Sequence, residues 1–174
     1  MLYDAWDGNV MARNIHRYLA DDHRRLDGLL DRATADPENI DATAYAQFRA
    51  GLLKHIGMEE KVLLPAAQKR RGEPLPVTRR LRLDHSALAA LLVPPPSAPV
   101  IAAIRAILKV HNPLEEDPGG MYDQCEDIVG NEVEAILNQL QNCAEVKVLP
   151  HVDNAFVTDA ARRALARAGY DLKL

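Results

Sequence analysis

A histidine and a glutamate stand four residues apart in Lys54-His55-Ile56-Gly57-Met58-Glu59-Glu60. The surrounding segment reads as an amphipathic helix, so the two side chains lie one above the other on one face. That face is apolar: Phe48, Leu52, His55, Glu59, Val62 and Ala66 follow helical spacing. A carboxylate on a core stripe is costly to bury unless something pairs with it. The same unit recurs as His111-Asn112-Pro113-Leu114-Glu115-Glu116, again His-x-x-x-Glu-Glu. A second repeat precedes each copy: Leu19-Ala20-Asp21-Asp22-His23-Arg24-Arg25-Leu26 and Leu81-Arg82-Leu83-Asp84-His85-Ser86-Ala87-Leu88 both read Leu-x-x-Asp-His-x-x-Leu. Four histidines and two glutamates are thus expected to face one interior. As core packing they would need six separate hydrogen-bond partners in an aliphatic setting. A dinuclear metal centre satisfies them together, because imidazole nitrogens and carboxylate oxygens suit iron, manganese or zinc and a carboxylate bridges two ions.

The elements that must position these residues are helices. The predicted first helix runs from Val10 to about Ala35 after a lead-in to about Asn9, with Ile15, Leu19, His23, Leu26 and Leu30 on one stripe. Asp36-Pro37-Glu38-Asn39 is a break. A second helix is predicted over about Ala42 to Arg70 with Asp41 as N-cap, and a third over about Val77 to Leu92 with Leu81, His85, Leu88 and Leu92 on one face. Pro94-Pro95-Pro96 stops the third. The fourth starts near Ser97 and aligns Val100, Ile104, Leu108, His111 and Glu115. Further helical patterns cover about Glu132 to Gln141 and Asp153 to Ala168, with Gly169 as the residue that closes the last. The expected fold class is all-α: an antiparallel four-helix bundle over about residues 10–128, with a C-terminal helical appendix over about 130–174, the whole forming one domain.

Composition agrees with this reading. Of 174 residues 48% are hydrophobic but only 5% aromatic, so the core is aliphatic. The net charge of −4 gives no reason to expect nucleic acid as a partner. No apolar run reaches the length of a membrane span, and Met1–Asp7 lacks the pattern of a signal peptide, so a cytoplasmic location is expected. Cys125 and Cys143 form neither a Cys-x-x-Cys pair nor a disulfide framework, and are expected to be reduced thiols.

The ordered set from Ile15 to Tyr122 resembles the hemerythrin-like family, the HHE cation-binding domains. The resemblance implies a four-helix bundle around a non-haem di-iron centre, oxo- or hydroxo-bridged, that binds dioxygen or a related diatomic such as nitric oxide. Carried onto this chain, it implies that His23, His55, His85 and His111 are terminal metal ligands and that Glu59 and Glu115 bridge. Three departures stand out. The oxygen carriers have a further histidine one turn before the third-helix ligand, where this chain has Leu81. Their second bridging acid is an aspartate five residues after its histidine, whereas Glu115 stands at four and Glu116 at five. Pro113 interrupts the fourth-helix pair, and Asn112-Pro113-Leu114-Glu115 also fits a fresh helix start with Asn112 as N-cap.

Two octahedral ions offer twelve positions. Two bridging carboxylates, four histidines and one bridging oxygen fill ten of them, which leaves two for small ligands where a five-histidine carrier has one. A more open site favours activation or sensing over storage. The alternatives are a di-iron oxidase, peroxidase or nitric-oxide-consuming enzyme, and a metal-free structural bundle. Glu60 and Glu116 are expected about 100° away from the stripe, as solvated or supporting acids. Asp22 and Asp84 are expected at the surface, His16 at the end of the bundle and His151 in a loop. The C-terminal segment is expected to form a capping helix or a homodimer contact.

Overall fold

The computed structural model describes residues 13–36 and 38–174. The expected lead-in, the start of the first helix at Val10, and Pro37 of the break lie outside the described residues. Among the described residues eight α-helices follow one another: α1 Asn14–Ala33, α2 Ala42–Met58, α3 Leu64–Arg71, α4 Thr78–Leu91, α5 Ala98–Glu116, α6 Met121–Val129, α7 Val133–Gln141 and α8 Ala155–Arg167. Among the described residues there is no strand, and no helix is long and apolar enough to cross a membrane.

The capping chemistry read from the sequence is present. The Asp41 carboxylate accepts from the N–H groups of Thr43 and Ala44, and the Ser97 hydroxyl accepts from Val100 N–H. Each satisfies amide groups that the first turn of a helix leaves without a partner. Gly169 has φ +82°, a left-handed conformation that a side chain disfavours, and Tyr170 N–H bonds back to Leu165 C=O behind it.

α1, α2, α4 and α5 form an up-down-up-down bundle, and the burial pattern shows how. Two aliphatic clusters lie on either side of the polar residues. One contains Leu26, Leu30, Phe48, Leu52, Leu88, Leu91, Ile104 and Ile107; the other contains Ile15, Leu19, Met58, Leu63, Leu81, Met121 and Tyr122. α1 and α4 pass from the second cluster to the first, whereas α2 and α5 run from the first to the second. Each fully buried Leu, Ile or Phe contributes about 1.5–3 kcal/mol, so the two clusters can carry a polar layer between them. α8 packs on α4 and closes the first cluster with Ala161, Ala164 and Leu165. α6 and α7 close the second with Cys125, Val129, Ile136 and Leu140. Cys125 and Cys143 are free thiols.

Two local irregularities correct the sequence reading. The second predicted helix is not uniform: Glu59–Leu63 forms a π-turn in which Leu64 N–H reaches Glu59 C=O, five residues back. Pro65 follows one residue later, where an α-helical ladder would need the N–H that proline lacks. The extra residue turns the downstream face, so Leu63 and Ala67 are buried in place of the expected Val62 and Ala66. Conversely, α5 continues unbroken through Pro113 to Glu116. Pro113 and Lys109, whose carbonyl its missing N–H leaves without a helical donor, both lie on the exposed face, where water can substitute. Asn112 therefore does not start a new helix, and Glu115 is an interior helical residue.

Candidate metal centre

The polar layer is assembled one helix at a time. α1 supplies His23, α2 supplies His55 with Glu59 at its junction with the π-turn, α4 supplies His85, and α5 supplies His111 and Glu115. All six are buried, the two glutamates completely. They fall into two sets that share both glutamates: His23, His55, Glu59 and Glu115, and Glu59, His85, His111 and Glu115. Within each set one donor atom per residue lies within 4.8 Å of the others, a spacing that could hold a metal ion. The His23 and His55 rings stand 4.5 Å apart, tilted by 39°, and those of His85 and His111 stand 4.8 Å apart, edge-on at 68°.

Every imidazole is held from behind by a carboxylate on its Nδ1. The partners are Glu116 for His23 at 3.2 Å, Asp22 for His55 at 2.9 Å, Glu60 for His85 at 2.9 Å and Asp84 for His111 at 3.4 Å. An ionised carboxylate only accepts, so each Nδ1 donates. Each Nε2 is thereby turned toward the shared glutamates: His55 Nε2 lies 3.2 Å from Glu59, His111 Nε2 3.1 Å from Glu115, and His85 Nε2 3.2 Å from Glu59. Arg25, Arg82 and Arg80 in turn donate to Asp22, Glu60 and Asp84. The expected surface position of Asp84 is wrong: it is fully buried, because α8 covers that side of α4. Asp22 is half-buried rather than free, and Glu60 and Glu116, both half-buried, take the supporting one of their two expected roles. The reason is geometric. A residue one position from an inward-facing residue points about 100° around the helix, which in a four-helix bundle aims it at the neighbouring helix.

The acids and imidazoles shift one another strongly. Burial alone would lower the His55 pKa, but Glu59 and Asp22 outweigh it and lift the ring to about 10. His85 is lifted to about 12 by Glu115, Glu59 and Glu60, and His111 to about 9 by Glu115 and Asp84, both against burial. His23 is raised on balance by Glu115 and Glu116. Burial and Glu115 push Glu59 upward, yet the imidazoles prevail and hold it at about 2. Glu115 is likewise held well below the usual carboxylate range.

A metal pair fits these residues on a specific observation. Glu59 Oε2 and Glu115 Oε1 are completely buried and accept no hydrogen bond, although both point at the histidines of the second set. His85 Nε2 and His111 Nε2 face each other at 3.2 Å. With their Nδ1 atoms donating outward, the two Nε2 atoms converge on one buried space together with the two orphaned oxygens. A cation binding there would displace any Nε2 protons and take all four atoms as donors, and the N/O set suits a first-row transition metal.

One residue that reaches the site has no signal in the sequence pattern. Tyr122, on α6, is fully buried and its hydroxyl donates to Glu59 Oε1 at 2.7 Å. The same oxygen lies 3.1 Å from His55 Nε2, 3.2 Å from His23 Nε2 and 3.3 Å from Glu115 Oε2. Burial, with Glu115 and Glu59 beside it, keeps the phenol pKa well above its usual value. α6 follows Asp117-Pro118-Gly119-Gly120, which reads only as a break. Gly120 lets the chain double back so tightly that a Cβ there would lie 2.6 Å from Glu115 C=O. His16 bonds Asp123 at 2.7 Å and stands outside both sets, and His151 lies in the irregular segment before α8 against Tyr45.

Comparison with known proteins agrees with this geometry. The family model described as the hemerythrin HHE cation binding domain matches residues 14–117, which spans α1 to α5 and all six residues. No curated protein and no solved structure gives a significant match.

Proposed function

Because the chain belongs to the hemerythrin HHE cation-binding family, we propose that its buried layer is a di-iron centre that binds dioxygen or a related diatomic such as nitric oxide. His23 and His55 would hold one ion, His85 and His111 the other, and Glu59 and Glu115 would bridge them. The observation that carries the reading is the pair of orphaned carboxylate oxygens opposite two facing imidazole nitrogens. Two ferrous ions there would supply electrons to the bound ligand.

The chain's own contribution is orientation and exclusion. Four carboxylates fix the imidazole rings and raise their basicity, as outer-shell acids do at metal sites. The aliphatic clusters above and below the layer restrict water and favour an apolar diatomic over a polar substrate. The charge is of the right sign: two glutamates at the centre and four acids around it would offset the positive charge of two divalent ions in a low-dielectric interior.

Anaerobic loading with ferrous iron tests this. The expected result is two ions per chain, magnetically coupled in the Mössbauer spectrum after oxidation because they share both glutamates. Fewer than one ion per chain, or two uncoupled ions, would overturn the proposal and favour a bundle with a purely structural polar layer.

A further inference from the structure

Tyr122 comes from outside the four bundle helices and outside the matched residues, yet its oxygen sits among the donors of only one metal set. Its four neighbours there are His23 Nε2, His55 Nε2, Glu59 Oε1 and Glu115 Oε2, at 2.7–3.3 Å. Donors adjacent to one another around an octahedral ion, each about 2.1 Å from the metal, lie about 3 Å apart. The Tyr122 oxygen therefore has the spacing of a fifth donor adjacent to all four. A hydroxyl that merely satisfied one carboxylate would need only the contact to Glu59. We infer that Tyr122 is a seventh protein ligand of the proposed di-iron centre, bound as phenolate to the ion held by His23 and His55.

Among the described residues the second set has no counterpart. The position one turn before His85 is Leu81, completely buried and packed in the same aliphatic cluster as Tyr122 and Met121. It supplies no donor. The two ions are therefore inequivalent. Two histidines, two carboxylate oxygens, one bridging oxygen and the phenolate complete the first ion, whereas the second keeps one exchangeable position. The diatomic ligand binds at the His85/His111 ion, against Leu81. The site is thus no more open than one with five histidines. Its extra donor is a hard anionic oxygen, which favours the ferric over the ferrous state. On metal binding the phenol loses its proton to solvent and the oxygen–metal bond replaces the hydrogen bond to Glu59.

This inference rests on the proposed di-iron centre, and its test separates the two. The iron-loaded, oxidised protein is expected to show a phenolate-to-ferric charge-transfer band in the visible, with tyrosinate ring modes in resonance Raman spectra excited within it. Tyr122→Phe abolishes both while retaining two ions per chain, and Tyr18→Phe leaves both unchanged. A coupled iron pair without the band, or a band that survives in Tyr122→Phe, overturns the role of Tyr122 and leaves the di-iron reading intact. A chain that takes up no iron pair overturns both. A crystal structure of the iron-loaded wild type decides the point without any variant: the Tyr122 oxygen about 2 Å from one ion supports the inference, and a separation of more than about 3 Å refutes it.

Discussion

Loading the centre should expel a countable number of protons. In the metal-free protein the pKa values of His111, His55 and His85 stand at about 9, 10 and 12. At neutral pH each ring therefore carries a second proton on the nitrogen that a metal requires. Binding an ion pair removes one proton from each of the three. The His23 pKa is also raised, by Glu115 and Glu116. Each proton released makes the logarithm of the apparent affinity rise by one per pH unit, so three protons correspond to about a thousandfold per unit below pH about 9. Phenolate formation at Tyr122 adds one more, which Tyr122→Phe would lack. The assay is anaerobic ferrous titration in weakly buffered solution with a pH-stat, repeated with a competing chelator at several pH values. Release of fewer than two protons at neutral pH would show that the rings are already neutral, and would refute the argument that the buried carboxylates hold them charged.

Without metal, the same shifts set the pH range of stability. The histidine contributions are complete below about 6.5, the unperturbed value, and are lost as pH rises through about 9 to 12. The contribution of Glu59 is complete above its usual range near 4.5 and is lost as pH falls toward about 2. Thermal unfolding of the metal-free protein, followed by circular dichroism, should therefore give a Tm that declines on both sides of a plateau; a Tm that rises between pH 8 and 10 would contradict the signs. Asp84→Asn, which replaces the carboxylate behind His111, should weaken iron binding about 10–100-fold in chelator competition, with helicity retained. Gly120→Ala sets a Cβ 2.6 Å from Glu115 C=O and 2.8 Å from Asp117 C=O, both backbone atoms that cannot rotate away. It should cost about 1–3 kcal/mol, read as a lower denaturation midpoint.

Much of the centre was legible because its residues obey helical periodicity. His23, His55, Glu59, His85, His111 and Glu115 each fall on an apolar stripe, and the stripe predicts which side of each helix is buried. The supporting acids were half legible. Their sequence positions beside the stripe residues are plain, but which neighbouring helix lies 100° around depends on bundle packing, so Asp84 read as a surface residue. The break in register after Glu59 was not legible, since a π-turn follows from local hydrogen bonding near Pro65 that the apolar pattern does not record. Pro113 misled in the opposite direction: proline weakens a helix, but here its exposed side meets water and the helix persists. Tyr122 was least legible. A lone tyrosine after a glycine-rich break has no repeat partner, and only the chain reversal at Gly120 brings it to the glutamates.

The pairing of neighbouring residues has a mechanical consequence. Each bundle helix is gripped at two adjacent positions: Asp22 and His23, Glu59 and Glu60, Asp84 and His85, Glu115 and Glu116. The two grips are about 100° apart around the axis, so they fix the angle of roll as two bearings fix a location. A helix that rolled to improve one contact would break the other. A slip of one residue along the axis would exchange a central acid for a supporting one. The frame is thus keyed, and its cross-links are made of protons and carboxylates rather than of metal. An ion entering this bundle would meet imidazoles whose directions the carboxylates behind them already set.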